Sequence, residues 1–64
     1  ASVVERALQT LPPRQRTALV LQYFEDLSYK EIAEAMGASV KSVERLLARG
    51  RDALADQLEE WRQR

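Results

Sequence analysis

Cysteine and histidine are both absent from this sequence of 64 residues. Without cysteine the chain has no disulfide framework and no thiolate metal site. Without histidine it lacks the usual general base, the usual zinc ligand and the usual pH switch. Carboxylates are plentiful, but we expect neither a glycine-rich phosphate loop nor a pocket that would desolvate them in so small a helical domain. The sequence therefore predicts no enzyme activity, no metal and no cofactor.

Long apolar runs are missing as well, and so is a signal-peptide pattern. No stretch approaches the roughly 18 residues that span a bilayer, so we expect no membrane partner and a cytoplasmic location. The length allows one domain at most, covering residues 1–64. The chain starts at Ala1 rather than methionine, which suggests a fragment of a larger protein.

The formal net charge is zero, which taken alone argues against nucleic-acid binding. The distribution of charge along the chain is more informative. Residues 41–51 contain four basic residues and one acid, a local charge of +3, whereas residues 25–40 and 52–64 are net acidic. Because an electrostatic footprint is local, residues 41–51 are the candidate segment for contact with a polyanion.

The pattern of apolar residues predicts an all-α domain. No segment alternates with period two for long enough to indicate a strand. Start and stop signals predict four helices, over about residues 3–9, 13–24, 28–36 and from 40 to at least 58. The second is apolar nearly all round between Ala18 and Phe24, so it is either central to the fold or partly covered by a partner.

The third and fourth predicted helices have the signals of a helix-turn-helix. Ser28 and Glu31 have the spacing of a capping box at the start of the third helix. Gly37 can take the left-handed conformation that ends this helix, and Ser39 is the candidate N-cap of the fourth. These signals predict a helix-turn-helix over about residues 28–58, without the strands of a winged domain.

The apolar residues of this motif have a specific spacing. Ala33 is small where the two helices approach each other, Gly37 follows four residues later, and Val43 follows six residues after that. Ile32, Met36 and either Leu46 or Leu47 would supply the remaining contacts. One stripe of the fourth helix is predicted to face the core: Val40, Val43, Leu47, Gly50, Leu54, Leu58 and Trp61.

The opposite side of the fourth helix has the chemistry to read DNA. In a helix-turn-helix the second helix enters the major groove. The outward residues are Lys41, Glu44, Arg45, Ala48 and Arg49, with Ser42 at the margin. Arginine can form paired hydrogen bonds with guanine O6 and N7, and a short apolar side chain suits a thymine methyl group or simply close approach. Ser28, Tyr29 and Lys30 begin the preceding helix, where hydroxyl, ammonium and backbone N–H groups suit phosphate oxygens.

Each of these features also has a plainer interpretation. Lysine and arginine spaced by four residues often form only a solvated face, and Ser28 and Ser39 serve as N-caps whatever else they do. Tyr29 is equally suited to packing under the turn, and Arg51 to pairing with a nearby acid. What favours DNA binding is the combination of the apolar spacing, the caps and the basic residues on one exposed face.

Three segments resemble region 4 of bacterial sigma factors, and the extracytoplasmic-function (ECF) group most of all. They are Leu11–Arg16 (LPPRQR), Leu27–Glu34 (LSYKEIAE), and Val43–Leu54 with its Arg-Gly-Arg sequence. The resemblance covers nearly the whole chain. It implies a C-terminal domain that recognises the −35 promoter element within RNA polymerase holoenzyme and so takes part in transcription initiation.

The resemblance also implies roles for individual residues. The positions at which the family reads bases are Arg45, Ala48 and Arg49. Lys41 and Arg51 would lie near the phosphate backbone. With Ser28, Tyr29 and Lys30 at the start of the preceding helix, and Ser42 at the margin, they complete the expected backbone contacts.

Partners follow from the resemblance in the same way. Region 4 acts as a monomer on duplex promoter DNA, contacts the β-flap of RNA polymerase core, and in ECF proteins is often bound by an anti-sigma factor. The apolar second helix, with Leu19, Val20 and Phe24, is the surface expected for polymerase or anti-sigma.

Two positions depart from the family pattern. The family often has a basic residue in place of Glu44 and an arginine in place of Leu46, so each change removes a phosphate contact. Glu44 is alternatively suited to accept a hydrogen bond from cytosine N4. We expect the isolated domain to bind DNA weakly, with a shallow salt dependence. Tethering to polymerase would offset this weakness by raising the effective concentration.

Two other functions remain open on the sequence. A regulator domain of the LuxR type shares the four-helix plan and a similar Glu-Ile-Ala segment, and would bind a palindrome as a dimer. A sigma-like decoy would bind an anti-sigma factor and no DNA, as zero net charge, Glu44 and Leu46 would allow.

Overall fold

A computed structural model describes residues 2–62, with side chains described for residues 2–60. This part of the chain contains no strand, and its four helices are α1 (Val3–Gln9), α2 (Pro13–Tyr23), α3 (Tyr29–Met36) and α4 (Val40–Arg62). The prediction of an all-α domain with a helix-turn-helix is confirmed. None of the described helices combines the length and the apolar character needed to cross a membrane.

The helix boundaries follow from local signals in the sequence. Ser2 accepts a hydrogen bond from the Glu5 N–H at 3.1 Å and so caps α1. α2 has Pro13 as its first residue, where a missing N–H costs nothing, and it ends one residue earlier than predicted because Phe24 is the C-cap. The predicted caps are therefore confirmed to within one residue.

α4 is the helix against which the other three pack. Val43 and Leu47 of α4 are fully buried, and they share the core with Ile32 of α3, Leu19 of α2 and Leu8 of α1. α4 contacts α1, α2 and α3, and α2 also contacts α3 directly, so the apolar stripe of α4 takes part in most of the interhelical packing.

The stripe predicted for α4 is buried in its middle and less so at its ends. Leu54 and Leu58 are half-buried. Val40 was predicted to face the core but is 42% exposed, because the first residue of α4 lies outside the core cluster. The side chain of Trp61 lies outside the described residues.

Gly50 allows α4 to approach α2 closely. A Cβ atom at this position would lie 2.8 Å from Leu19 Cδ1 and 3.3 Å from Leu19 Cγ. Leu19 is itself only 1% exposed, so its side chain has little room to move away. A glycine inside a helix costs about 1 kcal/mol relative to alanine, and the close packing explains its presence here.

We predict that Gly50→Ala lowers the free energy of unfolding by about 1 kcal/mol. Overpacking against Leu19 costs about 1–3 kcal/mol, which exceeds the gain of about 1 kcal/mol in helix propensity. Urea unfolding measures the difference. Ala55→Gly is the control, because Ala55 is exposed on the same helix and should show the propensity cost alone. A Gly50→Ala variant more stable than the parent would contradict the close contact.

Candidate nucleic-acid interface

The start of α3 is fixed by a complete capping box. Ser28 Oγ accepts a hydrogen bond from the Glu31 N–H at 3.1 Å, and Glu31 Oε1 accepts one from the Ser28 N–H at 2.8 Å. The hydrogen bonds from the Ser28 backbone and side chain hold the pKa of Glu31 below its ordinary value. The capping box predicted from the spacing is confirmed, and it holds Tyr29 and Lys30 in the first turn of α3.

The turn between α3 and α4 depends on Gly37. Its φ of 64° and ψ of 38° place it in the left-handed region, and its N–H donates to the carbonyl oxygens of Ala33 and Glu34. Ser39 then caps α4 by accepting a hydrogen bond from the Ser42 N–H at 3.1 Å. The turn is as short as predicted, and it fixes the direction in which α4 leaves α3.

α4 exposes the face that the sequence assigned to DNA. The five exposed residues are Lys41, Glu44, Arg45, Ala48 and Arg49, and Ser42 is half-buried at their edge. Val43 and Leu47, on the other side of the same turns, are fully buried. The helix therefore presents a basic outward surface while its inner side forms the core.

Arg14 extends this basic surface, and the sequence analysis missed it. Together with Ser42, Arg45, Leu46 and Arg49 it lines a shallow concavity of about 210 Å³, which we call the basic pocket. Arg14 lies in the first turn of α2, which contains no acid, so the positive end of the helix dipole adds to the charge of the three arginines. Its position within the Leu11–Arg16 segment, which resembles the family, was the one sequence feature that could have indicated this role for Arg14.

Arg51 lies among neutral side chains. Its Nε donates to Tyr23 Oη at 3.1 Å, and its Nη2 donates to Gln22 Oε1 at 2.9 Å and to Tyr29 Oη at 3.2 Å. Among the described residues these partners are two tyrosines and a glutamine, so the structure favours this arrangement over pairing with a nearby acid. The hydrogen bond from Arg51 holds the pKa of Tyr29 below its ordinary value. The hydroxyl of Tyr29 is thus already engaged by the protein.

An apolar groove of about 260 Å³ lies beside the C-terminal end of α2. Its lining residues are Val4, Leu8, Leu19, Tyr23, Phe24 and Leu54. Of the predicted partner surface, Phe24 is 62% exposed, whereas Val20 is half-buried and Leu19 lies almost fully buried in the groove lining. Tyr23 is 61% exposed and was missed, because the sequence does not reveal that α1 and α4 meet the end of α2 there.

No group of acidic side chains among the described residues is arranged to hold a metal ion. The three arginines of the basic pocket line one concavity, and the first turn of α3 has backbone N–H groups without acceptors in the helix. Their chemistry suits the binding of anionic oxygens.

Comparison of the sequence with known protein families shows which family this helix-turn-helix domain belongs to. Residues 2–54 match the family model described as sigma-70, region 4. The chain belongs to the sigma-70 region 4 family. This confirms the resemblance inferred from the Leu11–Arg16, Leu27–Glu34 and Val43–Leu54 segments.

Individual relatives agree with this membership. The region 4 chain is 46% identical over 57 residues to RNA polymerase sigma factor SigF of Mycobacterium tuberculosis, an alignment that covers 89% of the chain and 22% of SigF. It is 36% identical over 58 residues to ECF RNA polymerase sigma factor SigW of Bacillus subtilis, covering 91% of the chain and 31% of SigW. The chain therefore spans less than a third of the length of these relatives.

We predict that acid lowers the free energy of unfolding of the region 4 chain, in part by protonating Glu31. Because its pKa is depressed in the folded state, its stabilising contribution is complete above the ordinary glutamate value of about 4.3 and is lost as pH falls through the lower folded value. Glu31→Gln keeps an acceptor oxygen but does not titrate, so its stability should fall less steeply with acid. Thermal unfolding between about pH 2 and 6 tests this. Glu34→Gln, which leaves the capping box intact, is the control, and identical profiles for Glu31→Gln and the parent would refute the prediction.

Proposed function

We propose that this chain recognises the −35 element of promoter DNA as part of a sigma factor that directs RNA polymerase to sites of transcription initiation. The observation that carries the proposal is the exposed basic face of α4, whose opposite side is held rigidly in the core. Membership of the sigma-70 region 4 family supports it, as do relatives described as RNA polymerase sigma factors.

Base reading is proposed for three outward residues of α4. Arg45 and Arg49 are exposed and one helical turn apart, so both can reach base edges in a major groove. Ala48 lies beside them with a short side chain that permits close approach. Glu44 is exposed on the same face, where it is suited to accept a hydrogen bond from a cytosine amino group.

Contacts with the phosphate backbone are proposed on both sides of the base-reading residues. The residues are Ser28, Tyr29, Lys30, Lys41, Ser42 and Arg14, the last because it lines the basic pocket. The N–H groups of Tyr29 and Lys30 lie in the first turn of α3, where no carbonyl of the helix can accept from them. Such N–H groups bind phosphate well. Arg51 is not included, because Tyr23, Gln22 and Tyr29 already engage its guanidinium.

RNA polymerase is the proposed protein partner. Because Glu44 and Leu46 stand where the family often has basic residues, the isolated chain should neutralise fewer phosphates and release fewer counterions on binding DNA, so its own affinity should be low. Binding to polymerase would raise the effective concentration at the promoter. The apolar groove, with exposed Tyr23 and Phe24, offers a surface for the β-flap of polymerase or for an anti-sigma factor. The domain would act as a monomer in a bacterial cytoplasm.

We predict that Arg45→Ala and Arg49→Ala each relax promoter selectivity at one −35 position. A bidentate contact between arginine and guanine contributes about 1–3 kcal/mol of discrimination. Transcription or binding assays with polymerase reconstituted with the full protein, on promoters substituted at each −35 position, measure the effect. Arg6→Ala removes an exposed charge on α1, away from α4's outward face, and should leave selectivity intact. Unchanged selectivity in both α4 variants would show that these residues do not read bases.

A further inference from the structure

Arg51 joins three helices through one side chain. It lies in the middle of α4, while Gln22 and Tyr23 end α2 and Tyr29 begins α3. Its hydrogen bonds to these three residues are 2.9, 3.1 and 3.2 Å long. A guanidinium has five N–H groups, and three of them are thus used within the protein. We call these four residues the Arg51 cluster.

We propose that Arg51 is a positioning residue that fixes the start of α3 relative to α4, and not a phosphate contact. The proposal rests on the function proposed above, because its consequence is the geometry of DNA binding. Tyr29 lies next to Lys30 and to the first-turn N–H groups that face the phosphate backbone in that proposal.

The Arg51 cluster spans the connection between α2 and α3, whose own contacts do little to fix the position of α3. Residues 24–28 link α2 to α3 and include Asp26 with φ of 57°, a conformation that costs a residue with a side chain roughly 1–2 kcal/mol. The Glu25 and Leu27 N–H groups donate back to carbonyls of α2, and only the last residue of the connection, Ser28, is joined by a backbone hydrogen bond to α3. Arg51 instead bonds the residues on either side, Tyr23 and Tyr29, and so ties both ends of the connection to α4.

Arginine has the geometry that this role requires. Its planar fork presents N–H groups in fixed directions, so one side chain can hold acceptors from two other helices at once. A lysine keeps the charge but is a point donor without this planar geometry. Arg51 is an exposed residue, so we expect its hydrogen bonds to affect the placement of α3 more than the stability of the fold.

The test compares variants in polymerase reconstituted with the full protein. We expect Arg51→Lys and Arg51→Gln to weaken binding to a promoter with a −35 element by a similar factor, several-fold in each case. Tyr29→Phe, which removes one hydroxyl, should weaken it in the same direction. The double variant Arg51→Lys with Tyr29→Phe should be no weaker than Arg51→Lys alone, because both changes remove the same interaction.

Salt dependence separates positioning from phosphate contact. A lost phosphate contact lowers the slope of log K against log salt by about 0.9, whereas a lost positioning contact leaves the slope unchanged. We expect Arg51→Gln to keep the parent slope and Lys41→Gln, a proposed phosphate contact, to lower it. A ¹³C NMR titration of the Tyr29 ring provides an independent readout, because its pKa should rise in Arg51→Gln and stay as in the parent in Lys41→Gln.

Two results would overturn the inference. One is a reduced salt slope in Arg51→Gln with additive effects of Tyr29→Phe, which would make Arg51 a phosphate contact. The other is parent-like affinity in both Arg51 variants, with Arg49→Ala still impaired. If Arg49→Ala and Lys41→Gln are also parent-like, the proposed function fails, and this inference fails with it.

Discussion

The packing of three helices on one stripe of α4 is the constraint on which the rest of this structure depends. Val43 and Leu47 fill the core from α4, and Gly50 brings α4 against Leu19 of α2. Nearly all the buried residues that the structure describes gather in one core cluster, and so small a domain has little other buried surface to offset a loss there. Because the same turns of α4 carry the outward basic residues, a shift in core packing would also move the surface proposed to face DNA. In the proposed function, folding and DNA recognition would therefore depend on the same helix.

The positive charge of the chain is concentrated on the same outward surface of α4. The net charge is zero, yet the arginines of α4 meet Arg14 from α2 in the basic pocket, while the following turns of α4 contain Asp52 and Asp56. Positive charge that could attract a polyanion is thus concentrated on the first half of α4 and the start of α2 beside it. Such a surface would orient the domain more than it would strengthen its binding, as the proposed tethering of the domain by polymerase requires.

Capping and turn residues, which act on their near neighbours in sequence, made most of the helix boundaries predictable. The capping box at Ser28, the left-handed Gly37 and the cap at Ser39 each depend on residues within a few positions of one another, so their geometry follows from spacing. Contacts between distant segments were not predictable. Arg51 donates a hydrogen bond to Tyr23 across 28 positions of sequence, and Arg14 and Arg49 line one concavity because α2 packs on α4. The roles of Arg45, Ala48 and Arg49 in reading bases remain predictions.

The most direct test of the central claim is a selection experiment. Polymerase reconstituted with the full protein would be offered promoters whose −35 region is randomised, at two salt concentrations, and the bound fraction sequenced. The account predicts enrichment of one short asymmetric motif, because a monomer places a single α4 in the major groove. Enrichment of a palindrome, or no enrichment even at the lower salt concentration, would contradict the claim that the exposed face of α4 reads promoter DNA.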